Sequence, residues 1–210
     1  MSFYQKFGKR SIDIIFSLLG LLFLWPFFLL VALLIKLDSP GPVIFKQKRT
    51  GKNGQVFTFY KFRTMIRNAD KLKEKYRRLN EADGPVFKIK NDPRYTKIGK
   101  ILSHTGLDEL PQLVNILKGE MSFIGPRPLP IKEEEKIEPK YRFKRQSALP
   151  GLISSWIIMG GHRLSFSRWM EFDLKDINNQ NFIHEMEIFG KTISLAIGLL
   201  FKQFKRYQSS

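Results

Sequence analysis

An α+β fold is expected for this chain: a small β-hairpin or sheet with surrounding helices, preceded by an apolar helix and followed by an amphipathic one. Three observations predict it. Ile14 to Ile35 contains no charged residue, which at about 1.5 Å of rise per residue suffices for a hydrocarbon core. Val43–Arg49 and Gln55–Arg63 read as strands on either side of Gly51-Lys52-Asn53-Gly54, a hairpin signal. Beyond them, Leu107, Leu110, Val114 and Leu117 recur at helical spacing and Gly119 offers a stop.

The apolar stretch is too long for an ordinary signal peptide and no small-residue cleavage site follows it. Pro26 near its middle removes a helical hydrogen bond and should kink it. Both flanks are basic, with Lys6, Lys9 and Arg10 before and Lys36, Lys46, Lys48 and Arg49 after. A straight span would place one cluster on the far side, against the tendency of Lys and Arg to stay cytoplasmic. A re-entrant helix over 1–37 is the expected arrangement, with a kinked span as its competitor.

Asp38-Ser39-Pro40-Gly41-Pro42 breaks regular structure before the hairpin. In the second strand Phe57, Phe59, Lys61 and Arg63 share a face by the period of two, so Lys61 and Arg63 should point at one anion. A basic strand face against anionic lipid would look the same. Ile66–Glu81 reads as a charged helix whose Lys71, Lys73, Lys75, Arg77 and Arg78 form a solvated face. A short strand-like piece is expected within Ala82–Asn91, and a short helix over Ile98–Leu102.

Asp108-Glu109 stands at the start of the next helix, where Pro111 is tolerated because first-turn donors have no helical partner. Free amides and the helix dipole there should favour ionised carboxylates and attract phosphate. Acids in a first turn are also common for dipole reasons alone. Met121–Ile124 suits a short strand. Gly125-Pro126-Arg127-Pro128-Leu129-Pro130 is a stiff loop that would present Arg127 with little entropy left to lose, and capping a helix end is its plainer role. Glu133–Arg145 reads as one charged helix, and Leu152–Met159 with Trp156 as a buried apolar segment. Between Glu187 and Tyr207 apolar residues alternate with Lys191, Lys202, Lys205 and Arg206, as in an interfacial helix. The expected division is a catalytic domain over 38–185 and a membrane-associated helix over 186–210.

With 36 Lys and Arg against 19 Asp and Glu, the net charge of +17 calls for a polyanionic partner. Nucleic acid would satisfy it, but no RNP, zinc-finger or helix-turn-helix signature is present. The absence of cysteine excludes disulfides and thiolate sites, and His104, His162 and His184 lack ligand spacing.

Asp108-Glu109-Leu110-Pro111-Gln112-Leu113, Leu117-Lys118-Gly119-Glu120-Met121-Ser122 and Gly125-Pro126-Arg127-Pro128 together resemble the bacterial sugar transferases, the monotopic polyprenyl-phosphate phosphoglycosyltransferases. The likeness extends to Lys61-Phe62-Arg63-Thr64-Met65, to Gly84–Arg94 and to Pro150-Gly151. It implies transfer of a phosphosugar from a nucleotide diphosphate sugar, of the UDP type, to polyprenyl (undecaprenyl) phosphate, initiating exopolysaccharide or lipopolysaccharide synthesis at the cytoplasmic face of the inner membrane. Asp108 would be the nucleophile that forms an aspartyl-phosphosugar, and Glu109 would take a proton or orient the metal. Mg²⁺ would sit on Asp108 and the donor phosphates, with Lys61, Arg63 and Arg127 neutralising the remaining charge. Anionic lipid is an implied partner, and a homodimer stays open. The pattern is broken at Ser103, where an Arg is usual, at Gly106, where a Ser is usual, and at Gly161, where the second residue of a Gly-Arg pair is expected. Either Arg163 and His104 substitute, or the donor differs, or activity is reduced. A catalytically weakened relative serving as a membrane scaffold is the alternative these departures leave.

Overall fold

The computed structural model describes residue 4 and residues 8–208, with side chains described as far as 195. Lys6 of the first basic flank lies outside the described residues.

Helix α1 (Lys9–Asp38) runs without interruption through Pro26. Among the described residues it is the helix long and apolar enough to cross a membrane. Most of its apolar side chains, including Phe16, Leu22, Phe23, Trp25, Leu30 and Leu33, face outward, with Phe23 73% exposed. A narrow stripe faces the domain: Leu21, Leu24 and Phe28 pack against Phe57, Phe59, Leu113, Ile116 and Met121. Val31 and Ile35 join Phe62 and Leu102 in a second cluster.

Both ends of α1 are tied to that same domain. At the start, Arg10 donates to the carbonyls of Ile116 (2.6 Å) and Leu117 (2.8 Å), supplying partners to the orphaned end of another helix. Lys9 pairs with Glu185 and donates to Ile124 O. Asp13 accepts from the Phe123 amide and the Ser122 hydroxyl. At the other end Asp38 accepts from the Ile98 amide at 2.9 Å.

Strands β1 (Ile44–Thr50) and β2 (Val56–Phe62) form the expected antiparallel hairpin, in a register that pairs Phe45 with Lys61. Asn53 takes positive φ in its connection, as a tight turn requires. The charged helix expected over Ile66–Glu81 is absent. Two 3₁₀ turns, Ala69–Leu72 and Arg77–Leu79, stand in an irregular segment, and Asn68 adopts positive φ. Lys71/Lys75 and Lys73/Arg77 are like-charge pairs at i,i+4, which oppose a helix although Ala69, Leu72, Tyr76 and Leu79 recur at helical spacing. Nor does Ala82–Asn91 form a strand; the Asn80 side chain organises it by bonding Ala82, Val86 and Lys88 backbone groups.

Helix α2 (Lys97–Thr105) is capped by Thr96, whose hydroxyl accepts from the Gly99 amide. Gly99 lies so close to Thr64 that a Cβ would meet its carbonyl oxygen at 2.0 Å. Gly106 ends α2 in the left-handed region (φ 74°), which suits glycine where the family pattern has serine. A 3₁₀ turn over Leu107–Gln112 leads into α3 (Leu113–Lys118), and Gly119 closes it with φ 80°.

Strand β3 (Ser122–Ile124) pairs in parallel with β4 (Gly151–Ile153). The single helix expected over Glu133–Arg145 is two: α4 (Ile131–Glu134) and α5 (Pro139–Gln146). Pro139 forces Glu138 out of the helical region and restarts the helix at its first position. Helix α6 (Ser155–Ile158) buries Trp156 against Trp169 of α7 (Phe166–Asn178), a helix the periodicity did not reveal. Helix α8 (Phe182–Gln208) begins before the predicted Glu187 and packs first through Ile188, with Ile193 and Leu195 exposed. Its basic residues Lys202, Lys205 and Arg206 lie outside the described side chains.

Candidate active site

Asp108 and Glu109 open onto a cavity of about 440 Å³, bounded by the hairpin, the irregular segment 65–95, the Arg127 loop and α6. Its placement depends on Asn115. That fully buried side chain donates to Thr58 O (2.7 Å) and accepts from the Tyr60 amide (3.2 Å), locking α3 to β2. Lys61, one residue on, comes within 3.8 Å of the Asp108 carboxylate.

The two acids have different surroundings. Glu109 is gripped bidentately by Arg127, with the NH1 bond at 3.1 Å. Burial alone would push Glu109 upward, but the guanidinium outweighs it and holds the group down at about 2. Asp108 is 5% exposed and, among the described residues, has only the looser Lys61 pair. Burial, and then the charge on Glu109, push it up to about 6. The expectation that first-turn amides would hold it low is thus reversed: the element is 3₁₀, no side-chain cap bond forms, and desolvation wins. Lys61 is itself pushed down by burial, with Arg49 adding to the effect and Asp108 opposing it.

Of the other predicted residues, Arg127 lines the cavity and Arg63 does not. Arg63 is 6% exposed and turned toward α1, donating to Ile35 O (3.2 Å), Ser39 O (2.6 Å) and Pro40 O (2.9 Å). Strand β2 ends at Phe62, so the alternation that would have put Arg63 beside Lys61 no longer applies. Arg163 is exposed at the end of the 3₁₀ turn Gly161–Arg163, away from the cavity lining. His104 is also exposed, its Nε2 3.1 Å from Lys90 O. Ser103 does line the cavity, its hydroxyl 2.9 Å from that of Tyr95.

Several lining residues were missed. Arg49 lies 3.9 Å over the Phe59 ring and donates to Pro128 O at 2.6 Å, fixing the Arg127 loop. The hairpin pattern could have found it, because cross-strand pairing places Phe45, Gln47 and Arg49 on the face that carries Lys61. Arg94 forks onto Asp92 at 2.9 and 2.6 Å, and Lys73 pairs with Glu133 at 2.9 Å. Both cations approach the Phe87 ring, at 5.1 and 5.2 Å. Lys88 lines the cavity with no hydrogen bond or ion pair from its ammonium group to any described residue. His162 lines it too, against stacked Trp156 and Trp169. No local sequence signal announces these last residues, which come from segments without helical or strand period.

Chemically, the cavity offers one poorly solvated carboxylate, a second carboxylate already neutralised, and cations loosely enough held to exchange partners for phosphate oxygens. Among the described residues no cluster of three or more His, Cys, Asp or Glu could hold a metal by itself.

Comparison with known proteins identifies a family. The bacterial sugar transferase family model matches residues 4–198. The chain is 39% identical over 190 residues to exopolysaccharide production protein ExoY of Rhizobium meliloti (strain 1021), covering 89% of this chain and 84% of that protein. It is 36% identical over 201 residues to the galactosyl transferase CpsE of Streptococcus agalactiae, covering 94% of this chain and 44% of that one. It is 33% identical over 202 residues to the undecaprenyl-phosphate galactose phosphotransferase of Salmonella typhimurium, covering 92% and 41%. The chain therefore spans less than half of the last two relatives and most of the first.

Proposed function

The chain belongs to the bacterial sugar transferase family, and from that premise we propose that it transfers a phosphosugar from a nucleotide diphosphate sugar, of the UDP type, to polyprenyl phosphate through an aspartyl intermediate. The observation that carries this reading is the unequal pair, Asp108 loosely paired with Lys61 beside a Glu109 locked by Arg127.

In the first half-reaction an Asp108 carboxylate oxygen attacks the sugar-bearing phosphorus. The bond from that phosphorus to the bridging oxygen breaks, and nucleoside monophosphate leaves with the electron pair. In the second, a phosphate oxygen of the prenyl acceptor attacks the acyl-phosphate and Asp108 is released as carboxylate. Each displacement is easier than direct attack of one phosphate on another. Poor solvation makes Asp108 a stronger nucleophile once it is ionised, and a pKa near 6 leaves it ionised at neutral pH. Lys61 and Lys88, which line the cavity, would meet the donor phosphates, and Arg127 fixes Glu109 while adding positive potential.

Magnesium fits this donor set in the manner usual for phosphoryl transfer, with one or two carboxylates completed by substrate phosphates and water. Asp108 would hold it on the protein side; when bound, the ion offsets charge between the carboxylate and the phosphates.

The membrane part of the reading draws support from α1. A straight span would carry one end of the helix across the bilayer, yet Arg10 and Asp13 at one end and Asp38 at the other bond the same domain. A helix lying shallowly in the cytoplasmic leaflet, its apolar flank in lipid, keeps all of these bonds and both basic flanks on one side. The oily acceptor and the soluble donor then meet at the depth of the headgroups.

Asp108→Asn should abolish both nucleoside monophosphate release and a phosphosugar adduct detectable by intact-protein mass spectrometry. Normal turnover in that variant would refute the nucleophile assignment. A silent wild type, tested with membranes, Mg²⁺ and prenyl phosphate, would return the scaffold reading that Ser103 and Gly161 suggest.

A further inference from the structure

His162 is a residue of the cavity lining. Its ring stands edge-on to Trp156 (centroids 5.0 Å, 74°) and to Trp169 (5.8 Å, 89°), and those two indoles stack on each other at 4.0 Å. Both tryptophans are almost fully buried, so the imidazole rests on a rigid wall rather than on a loop free to turn. Neither ring nitrogen of His162 has a hydrogen-bond partner among the described residues, although the residue lines the cavity. Burial, then the fields of Arg127 and Lys88, push its pKa to about 4, so at neutral pH it offers one donor and one acceptor and no charge.

His162 lines the same cavity as Asp108, Lys88 and Arg127. A donor held with its phosphorus at Asp108 would have the imidazole within that cavity. The group attached to that phosphorus is the sugar, whereas the base lies beyond the second phosphate and the ribose. An uncharged donor–acceptor pair beside an apolar wall formed by Trp156 and Ile157 is chemistry that suits a pyranose ring, with an apolar face and hydroxyl or acylamino edges. In the family pattern an arginine is expected at 161; here Gly161 takes φ 58° and packs under Trp156, and His162 lines the cavity.

We propose that His162, held on the Trp156–Trp169 wall, forms the sugar subsite of the donor and sets which sugar this chain transfers. The proposal rests on the transferase reading above and deepens it. A site built to hydrogen-bond one hydroxyl or acylamino group discriminates strongly against donors that lack it or turn it away.

The test uses the full chain in membranes with a panel of UDP-glucose, UDP-galactose and their N-acetylamino counterparts, following UMP release. His162→Phe keeps the edge-on packing and removes both nitrogens; His162→Gln restores a donor and an acceptor. His162→Phe should raise KM for the best donor roughly tenfold and shrink the preference between epimers at least about fivefold, while His162→Gln recovers part of both. Inhibition by UDP, which lacks the sugar, should change by less than about twofold in either variant, and that also reports an intact fold. An unchanged epimer preference in His162→Phe overturns the proposal. So does a loss of UDP inhibition as large as the rise in donor KM, since that places His162 at the base or phosphates. If the wild type releases no UMP from any donor while UDP still binds, the transferase reading itself falls, and the sugar subsite with it.

Discussion

Asp108 and Glu109 are adjacent in sequence and opposite in behaviour, which dictates how the protein should respond to acid. Asp108 is pushed up to about 6, so it takes up a proton as the pH falls through that value and loses its nucleophilic form. Glu109 at about 2 and His162 at about 4 do not change charge between pH 5 and 8. The expected kcat/KM for nucleoside monophosphate release therefore falls roughly tenfold per unit below pH 6 and is level above it. Single-turnover measurement of the first half-reaction checks this without interference from the titrating prenyl phosphate, and a flat profile from 5 to 8 would contradict it. The position of the two acids at the start of a helical segment was legible from Leu107, Leu110 and Pro111. Their inequality was not, because it comes from burial and from Arg127, eighteen residues along the chain, and no local pattern encodes which of two neighbours an arginine will grip.

At the scale of elements, local signals located the structure well where a period was strong and failed where charge filled the pattern. The hairpin, α2, the 105–119 segment and β3 lie close to where spacing, caps and glycines placed them. The 66–81 segment did not form a helix, since its lysines and arginines repel along the face on which they recur. Arg63 teaches the same lesson for strands: one residue past the end of β2, side-chain direction is set by what the arginine can bond. Its guanidinium satisfies carbonyls at the end of α1, so Arg63→Ala should cost stability, about 1–3 kcal/mol, by leaving those groups unpaired. Thermal unfolding in detergent micelles reads that loss. Donor KM in the folded fraction should stay within about twofold, because the residue does not line the cavity; a tenfold rise would place Arg63 back at the phosphates.

For the molecule as a whole, the question is how a chain with an uncharged helical flank sits in a bilayer. Pro26 and the paired basic flanks are two clues legible in the sequence, and the structure adds bonds from both helix ends to one domain. The chain contains no cysteine, so single-cysteine variants at the exposed positions Ser11 and Lys36 are clean reporters. With a membrane-impermeant maleimide, both should react in inside-out vesicles and neither in intact spheroplasts. Opposite labelling of the two would establish a span.

Arg63 carries one more consequence. It stands two residues from Lys61 and clasps the carbonyls that finish α1, so the lipid-facing helix and the strand that bears Lys61 share a polar joint beside their apolar packing. Arg63→Ala, which unfastens that joint, should therefore quicken amide hydrogen exchange at the 36–38 end of α1 more than at its Arg10 end.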